Sequence, residues 1–390
     1  MKKILFVLNT LRLGGAEKSL VSLLNALDYS KFDVDLLLFE DDGVLRSELP
    51  EEVNVIYGGD VTRAMILEFR YYGKSLLKSG HLPAYLSRLT VSLRAKRGKQ
   101  GFSWNTIKRH IKPLNGHYDT AVSYLEGYPA YFLIDKVNAD RKIAWIHTDI
   151  SKKTVYAEEI EYYSKMDKVV TISEQCKAAI DQRIPAVKEK TIVIENLSDP
   201  RRIRELAEKA GDFSTWDDKY VHIVTVGRLT EAKGIDQAIE AYALLSEDIE
   251  NLCWHVYGEG ELKDTYQKMI EERHIDKGFI LEGPVQNPYQ FMKRADIIVQ
   301  PSKWEGKSVV LDEAKILGKA IVVTNYPSAK DQIIDHVNGL IANMNPQSVA
   351  DAVRSLLKDP VLKETLERNC AEEEPPYTRI AAKINELLNE

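Results

Sequence analysis

At 390 residues the chain exceeds one typical core, and two domains are the natural expectation. Apolar residues make up 44% and charged residues 29%, the balance of an ordinary globular protein, and a net charge of −6 argues against nucleic acid as the main partner. No apolar run approaches the ~20 residues a membrane span needs. Cys176, Cys253 and Cys370 lie far apart with no His cluster beside them, which points to a reducing compartment, the cytoplasm, and away from structural zinc or disulfides.

The start, MKKILFVLNT, imitates a signal peptide only briefly. Its apolar run stops at Leu8 and is followed by Asn9, Arg12 and Glu17, so it reads as a first buried strand. The segment LRLGGAEKSL then joins that strand to a helical pattern over Gly14 to Leu27. Gly14 and Gly15 allow close backbone approach to a ligand, and the helix start favours an anion. A dinucleotide site would instead need G-x-G-x-x-G and an acid ending the second strand; Glu40 stands near that place, but the glycine spacing is wrong.

From Val61 to Lys112 there are twelve Lys or Arg against one acid, Glu68. That local charge of +11 leaves −17 for the rest of the chain. Tyr71, Tyr72, Leu76, Leu77, Leu82, Tyr85, Leu86, Leu89, Leu93, Phe102 and Trp104 are interleaved with the cations. The segment reads as an amphipathic insertion suited to an anionic membrane surface, or as a solvated helical insertion.

Strand-like runs alternate with helical patterns in two series. KILFVLN, VDLLLFE, VNVIYGG, DTAVSYLE, KIAWIHT, KVVTIS and TIVIEN form the first. VHIVTVGR, LCWHVYGEG, GFILEG, ADIIVQPS, KAIVVT and GLIANM form the second. Several are continuously apolar, as strands covered on both faces of a parallel sheet should be. The pattern predicts α/β architecture with two doubly wound, Rossmann-like domains. Their expected bounds are 1–196 and 220–373, with a polar linker at 197–219 and a last helix within 374–390 that returns to the first domain. Ligands of such sheets bind beyond the carboxyl ends of the strands, so two of them would face across a cleft.

His147 ends one strand of the first series, ahead of Thr148 and Asp149. In the second, VGRLTEAKG places Arg228 and Lys233 five apart across a tight loop, suited to a departing diphosphate. Gly258 and Val285 follow further strands, either as backbone contacts to a base or as plain turns. The stretch from Ser302 to Thr324 carries most information. Glu305 and Glu313 stand eight apart around a Gly306–Lys307–Ser308 turn that leads into a helix at Val309. A phosphate at that helix start, with carboxylates for the hydroxyls of a sugar and a ribose, describes a nucleotide-sugar.

Together GGAEKSL, WIHTD, VGRLTEAKG, YGEGELK, LEGPVQN and SKWEGKSVVLDEA resemble the family-4 retaining glycosyltransferases of the GT-B fold, of the bacterial capsular, exopolysaccharide and O-antigen type. The resemblance implies Arg228 and Lys233 on the donor diphosphate, Glu313 on the ribose and Glu305 on the transferred sugar. Gly15 would line the diphosphate, Ser308 and Val309 would offer backbone amides, and His147 would sit beside the sugar. It also implies no metal and no cofactor, a UDP-linked hexose or N-acetylhexosamine as donor, and a saccharide acceptor on polyprenyl diphosphate at the inner face of the plasma membrane. Asp33-Val34-Asp35 looks like the D-x-D metal motif of other sugar-transferring enzymes, but it opens a strand at the end away from the site. Lys307 and Tyr377 depart from the residue types common in the family. A soluble-acceptor transferase, a sugar-nucleotide epimerase and a non-catalytic partner subunit remain alternatives, and the basic insertion remains assignable to membrane, acceptor or partner protein.

Overall fold

The near-continuous apolar runs fold as parallel strands sealed on both faces by helices. The computed structural model describes residues 1–97, 101–151, 153–214 and 216–390; Lys99 of the basic block lies outside the described residues. The chain divides into unit 1, Met1–Leu197 with Thr378–Glu390, and unit 2, Ser198–Tyr377.

Unit 1 is built on seven strands: β1 (Lys2–Leu8), β2 (Phe32–Leu38), β3 (Val53–Tyr57), β4 (Tyr118–Ser123), β5 (Ala139–Ile146), β6 (Lys168–Thr171) and β7 (Thr191–Val193). Their order is β3-β2-β1-β4-β5-β6-β7, and every pairing is parallel. Ile4 to Leu8 are all fully buried, which explains why this run is apolar. The order reverses between β1 and β4, and that switch point is where an open parallel sheet leaves a crevice for ligand.

Unit 2 repeats the plan with β8 (Val221–Val226), β9 (Leu252–Tyr257), β10 (Phe279–Gly283), β11 (Ile297–Gln300), β12 (Ile321–Thr324) and β13 (Leu340–Ala342). The order is β10-β9-β8-β11-β12-β13, again parallel throughout, with the switch between β8 and β11. In β9, Leu252, Trp254 and Val256 join one core while Tyr257 joins the core on the opposite face, as period-two alternation requires.

Two expectations need correction. The cysteines were separated from any His cluster, yet β8 pairs His222 directly with Cys253, and strand alternation puts His255 on the same face. Sequence distance hid a neighbour supplied by the adjacent strand. The basic block is likewise not wholly a surface element. It forms helices Asp60–Ile66, Phe69–Lys78, Leu82–Lys96 and Trp104–Ile107, and Leu76 and Trp104 are buried in the unit 1 core. Trp104 donates its indole N–H to Asp135 at 2.8 Å. The residues left exposed are Tyr71, Leu77, Leu82, Leu86 and Leu93.

The last helix, Tyr377–Asn389, buries Ile380, Ile384, Leu387 and Leu388. Its carboxyl end, where unpaired carbonyls and the dipole favour cations, meets two of them. Arg141 donates to the Leu387 carbonyl and pairs with Glu390, both at 2.5 Å, and Lys2 Nζ donates to the Asn389 carbonyl at 2.5 Å. Arg141→Ala should speed hydrogen exchange at the amides of Ile384 to Asn389 about tenfold, the scale of one charge-assisted bond. Exchange in the helix Ile235–Ser246 of unit 2 should be unchanged; mass spectrometry of deuterium uptake checks both.

Candidate functional site

Unit 2 gathers its charged side chains at the switch point. Beyond β8 the chain turns through Arg228 to Lys233, and Gly234 starts the helix Ile235–Ser246 with φ +63. A Cβ on Gly234 would lie 2.0 Å from the Pro301 carbonyl oxygen, so glycine lets the β8 loop press against the loop beyond β11. That contact brings Lys233 to Glu305: Nζ lies 2.5 Å from Oε1, with the side chains only 17% and 12% exposed. Glu305 Oε1 also accepts from Ser302 Oγ at 2.7 Å and from Gln300 Nε2 at 3.4 Å, and its carbonyl accepts from Ser328 Oγ at 3.0 Å. A carboxylate gripped this way has a fixed direction. Arg228 is exposed on the same loop and available to an anion.

Glu313, on the helix Val309–Ile316, is 1% exposed and accepts from the Tyr289 hydroxyl at 2.7 Å. Lys307 and Asp312 face each other at 3.5 Å across the start of that helix. The Ser308 amide, expected to face a diphosphate, is taken: it donates to Gln332 Oε1 at 2.8 Å, while Gln332 Nε2 returns a bond to the Ser308 carbonyl. Gln332 follows β12 and folds over the turn, which no local pattern around Gly306 announces. The helix start at Val309 has no side-chain cap. Gly258, beyond β9, has its backbone so close to Gly227 that a Cβ would lie 1.8 Å from the Gly227 oxygen. Val285, beyond β10, packs against the core formed around Tyr257 and Phe291.

Unit 1 carries Gly14, Gly15 and His147. Gly14 is the extended residue before the helix Gly15–Asn25, whose first turn holds Glu17 folded back over Gly14. His147, just past β5, is 9% exposed and packs on Tyr124 with ring centroids 4.8 Å apart. Its ring lies within reach of the Asn196 side chain and the Tyr124 backbone, but the geometry is too poor for either buried nitrogen to be well satisfied. Burial pushes its pKa down to about 4 against the opposing field of Glu126, so the imidazole is neutral at pH 7. Ser123 Oγ, at the end of β4, and Asn196 Oδ1, beyond β7, are likewise buried without well-placed partners. Buried polar groups left open are costly, and a concentration of them at strand ends suits a hydroxylated ligand.

Glu126 is the residue the sequence reading passed over. It accepts from the His147 amide at 3.2 Å, Thr148 Oγ1 at 2.6 Å and Lys153 Nζ at 3.4 Å. Burial pushes its pKa up, but Lys153, Thr148 and His147 together bring it below the ordinary value. Its place at the end of DTAVSYLE was a usable signal, since cleft residues follow strand ends. Two set-aside motifs are structural in fact. Asp35 receives bonds from Asn54 at 2.6 Å and Tyr118 at 2.7 Å, and Glu40 is held by Arg12 at 2.9 Å and by the Tyr72 hydroxyl.

Comparison with known proteins places this geometry. Over the full length of both chains, the structure matches that of Anabaena HepE in complex with UDP and glucose, with a TM-score of 0.72 and 18% identity. The fold is GT-B. Within this GT-B chain, residues 208–373 match the family described as glycosyl transferases group 1, the stretch that holds Arg228, Lys233, Glu305 and Glu313. An uncharacterized glycosyltransferase of Methanocaldococcus jannaschii is 25% identical over 58% of this chain and 59% of its own length. The Campylobacter jejuni N-acetylgalactosamine-N,N'-diacetylbacillosaminyl-diphospho-undecaprenol 4-alpha-N-acetylgalactosaminyltransferase is 28% identical over 52% of this chain and 54% of its own. The GT-B chain thus spans little more than half the length of these curated relatives.

His147 sets a pH signature. With a folded pKa of about 4 against an ordinary 6.5, the unfolded chain takes up a proton that the folded chain refuses. Its contribution to stability is complete above pH 6.5 and is lost as pH falls toward 4. His147→Gln should flatten the fall in unfolding free energy between those values by on the order of 2 kcal/mol. The Glu126 contribution, lost only below its ordinary pKa of 4.5, should remain. Urea titrations at stepped pH measure both.

Proposed function

We propose that the chain is a retaining glycosyltransferase. It moves a hexose or N-acetylhexosamine from a UDP-sugar to a saccharide acceptor carried on polyprenyl diphosphate, in bacterial surface polysaccharide synthesis, with no metal ion in the reaction. The observation that carries the reading is the Lys233–Glu305 contact at the unit 2 switch point, with Arg228 on the same loop. Two cations there suit a diphosphate that leaves with growing negative charge, and a pinned carboxylate beside them suits sugar hydroxyls. The group 1 match over 208–373, the UDP and glucose complex of the structural neighbour and the diphospho-undecaprenol acceptor in the Campylobacter relative's name all favour it.

In this reading Arg228 and Lys233 receive the β-phosphate as the anomeric bond breaks. Glu305 orients the hydroxyls of the sugar, Glu313 takes the ribose, and Val309 offers its amide at the helix start. The acceptor oxygen attacks from the side the diphosphate leaves, which retains configuration and needs no enzyme nucleophile. Neutral His147, only loosely held by Asn196 and the Tyr124 backbone, takes a sugar hydroxyl. Binding is read first by thermal shift: UDP or a UDP-sugar should raise Tm where GDP and ADP do not, equally with and without added Mg2+. Arg228→Ala with Lys233→Ala should weaken UDP binding tenfold or more, and Glu305→Ala should lower transfer by about 10²-fold or more. Full affinity in the first variant, or normal turnover in the second, sinks the assignment.

The acceptor carrier implies work at the inner face of the plasma membrane. No described helix is long and apolar enough to cross one. The helix Leu82–Lys96 instead exposes Leu82, Leu86 and Leu93, spaced to share one face, beside exposed Arg94, Lys96 and Arg97. Apolar side chains ringed by cations match an anionic headgroup layer. The protein should sediment with phosphatidylglycerol vesicles at low salt but not with phosphatidylcholine vesicles, and release as salt rises. Leu86→Glu with Leu93→Glu should abolish sedimentation; retention by that variant would remove this face from the docking surface.

A further inference from the structure

His222, Cys253 and His255 play no part in the reaction proposed above, and none of them faces the switch point. His222 is the second residue of β8 and Cys253 the second of β9, while His255 lies at the middle of β9. His222 Nδ1 and His255 Nε2 approach to 3.0 Å. The outer nitrogen of each ring is also engaged. His222 Nε2 lies 3.0 Å from the Asp217 carbonyl, and His255 Nδ1 lies 2.7 Å from a Glu282 carboxylate oxygen.

A backbone carbonyl only accepts, so His222 must carry its hydrogen on Nε2; an ionised carboxylate only accepts, so His255 must carry its hydrogen on Nδ1. Two neutral imidazoles in those tautomers point lone pairs at each other across 3.0 Å, with both side chains buried. Buried facing lone pairs are costly, so something positive belongs between them. Donation of the outer ring N–H to a carboxylate or a carbonyl is the pattern that orients metal-bound imidazoles. The Cys253 sulfur supplies a third soft donor, and all three ligand atoms lie within 4.8 Å of one another.

We propose that His222, Cys253 and His255 form a structural site for a divalent ion that prefers imidazole and thiolate, of the Zn2+ type, with water in the fourth position. Tetrahedral zinc wants such atoms about 3.3–3.8 Å apart, a spread that side-chain movement on fixed strands can reach. On binding, the thiol proton leaves to solvent and both imidazoles stay neutral. The ion then offsets the thiolate and the nearby Glu282 carboxylate. Burial, with Asp217 and Glu282 nearby, raises the Cys253 pKa, so the thiol stays protonated until an ion displaces its hydrogen. Trp216 covers the group, stacked on His222 at 4.3 Å and on His255 at 4.5 Å, each within 16° of parallel. An ion there would join β8, β9 and the segment carrying Trp216, whatever reaction the chain performs.

The test uses the full chain, tag-free and stripped by chelator dialysis, titrated with ZnCl2 and separately with CoCl2. One equivalent of Zn2+ should bind with Kd under about 1 μM and raise Tm. The Co2+ form should show a thiolate-to-cobalt charge-transfer band. Cys253→Ser should abolish that band and weaken Zn2+ binding at least about tenfold while keeping the UDP-induced shift. No uptake beyond that of Mg2+, or uptake undiminished in Cys253→Ser with no cobalt–thiolate band in the unsubstituted protein, would overturn the site. The imidazoles would then be held together by a shared proton.

Discussion

The contact between Lys233 and Glu305 is the constraint on which the rest of unit 2's site depends. It requires that the loops beyond β8 and β11 touch, and they touch because Gly234 has no Cβ to strike Pro301. Ser302 and Gln300 then fix the carboxylate from its own side of the contact. A buried ion pair of this kind gives little net stability, since desolvation of both charges offsets their attraction. Its value lies in direction: the two charges are held in one orientation at the strand ends.

Unit 1 shows the complementary arrangement. Glu126 is satisfied by three donors, whereas the ring nitrogens of His147 have only loose contacts with Asn196 and the Tyr124 backbone. The carboxylate therefore holds the backbone of His147 and leaves the imidazole to a ligand. Burial keeps that imidazole neutral, which suits exchange of hydrogen bonds with a hydroxyl better than capture of an anion. The two units carry opposite chemistry at corresponding strand ends: fixed charges in one, open neutral polar groups in the other.

Much of this was legible because parallel sheets write themselves into sequence. Strands covered on both faces read as unbroken apolar runs, so the places of Arg228, Lys233, Glu305 and His147 beyond the ends of β8, β11 and β5 could be read from the sequence. What escaped detection came from partners distant in sequence. Tyr289 reaches Glu313 from a separate helix, and Gln332 reaches Ser308 from beyond β12. The basic block misled for a related reason. Its cations are solvated in any arrangement, but whether Trp104 lies in water or beneath Asp135 depends on which strand-following helix is near, and composition is silent on that.

The same limit explains the His222–Cys253–His255 group. Metal-ligand spacing is recognisable when one turn or hairpin supplies the ligands; here β8 and β9 are joined through the helix Ile235–Ser246, and only their pairing brings the ligands together. The unit 2 sheet then carries two distinct groups. Loops at the carboxyl end hold charges that a substrate can displace, while the group within β8 and β9 is walled in by Trp216 and committed to Asp217 and Glu282. A site whose ligands are already bound outward to fixed acceptors cannot readily move with a reaction. That rigidity suits a fastening for the sheet.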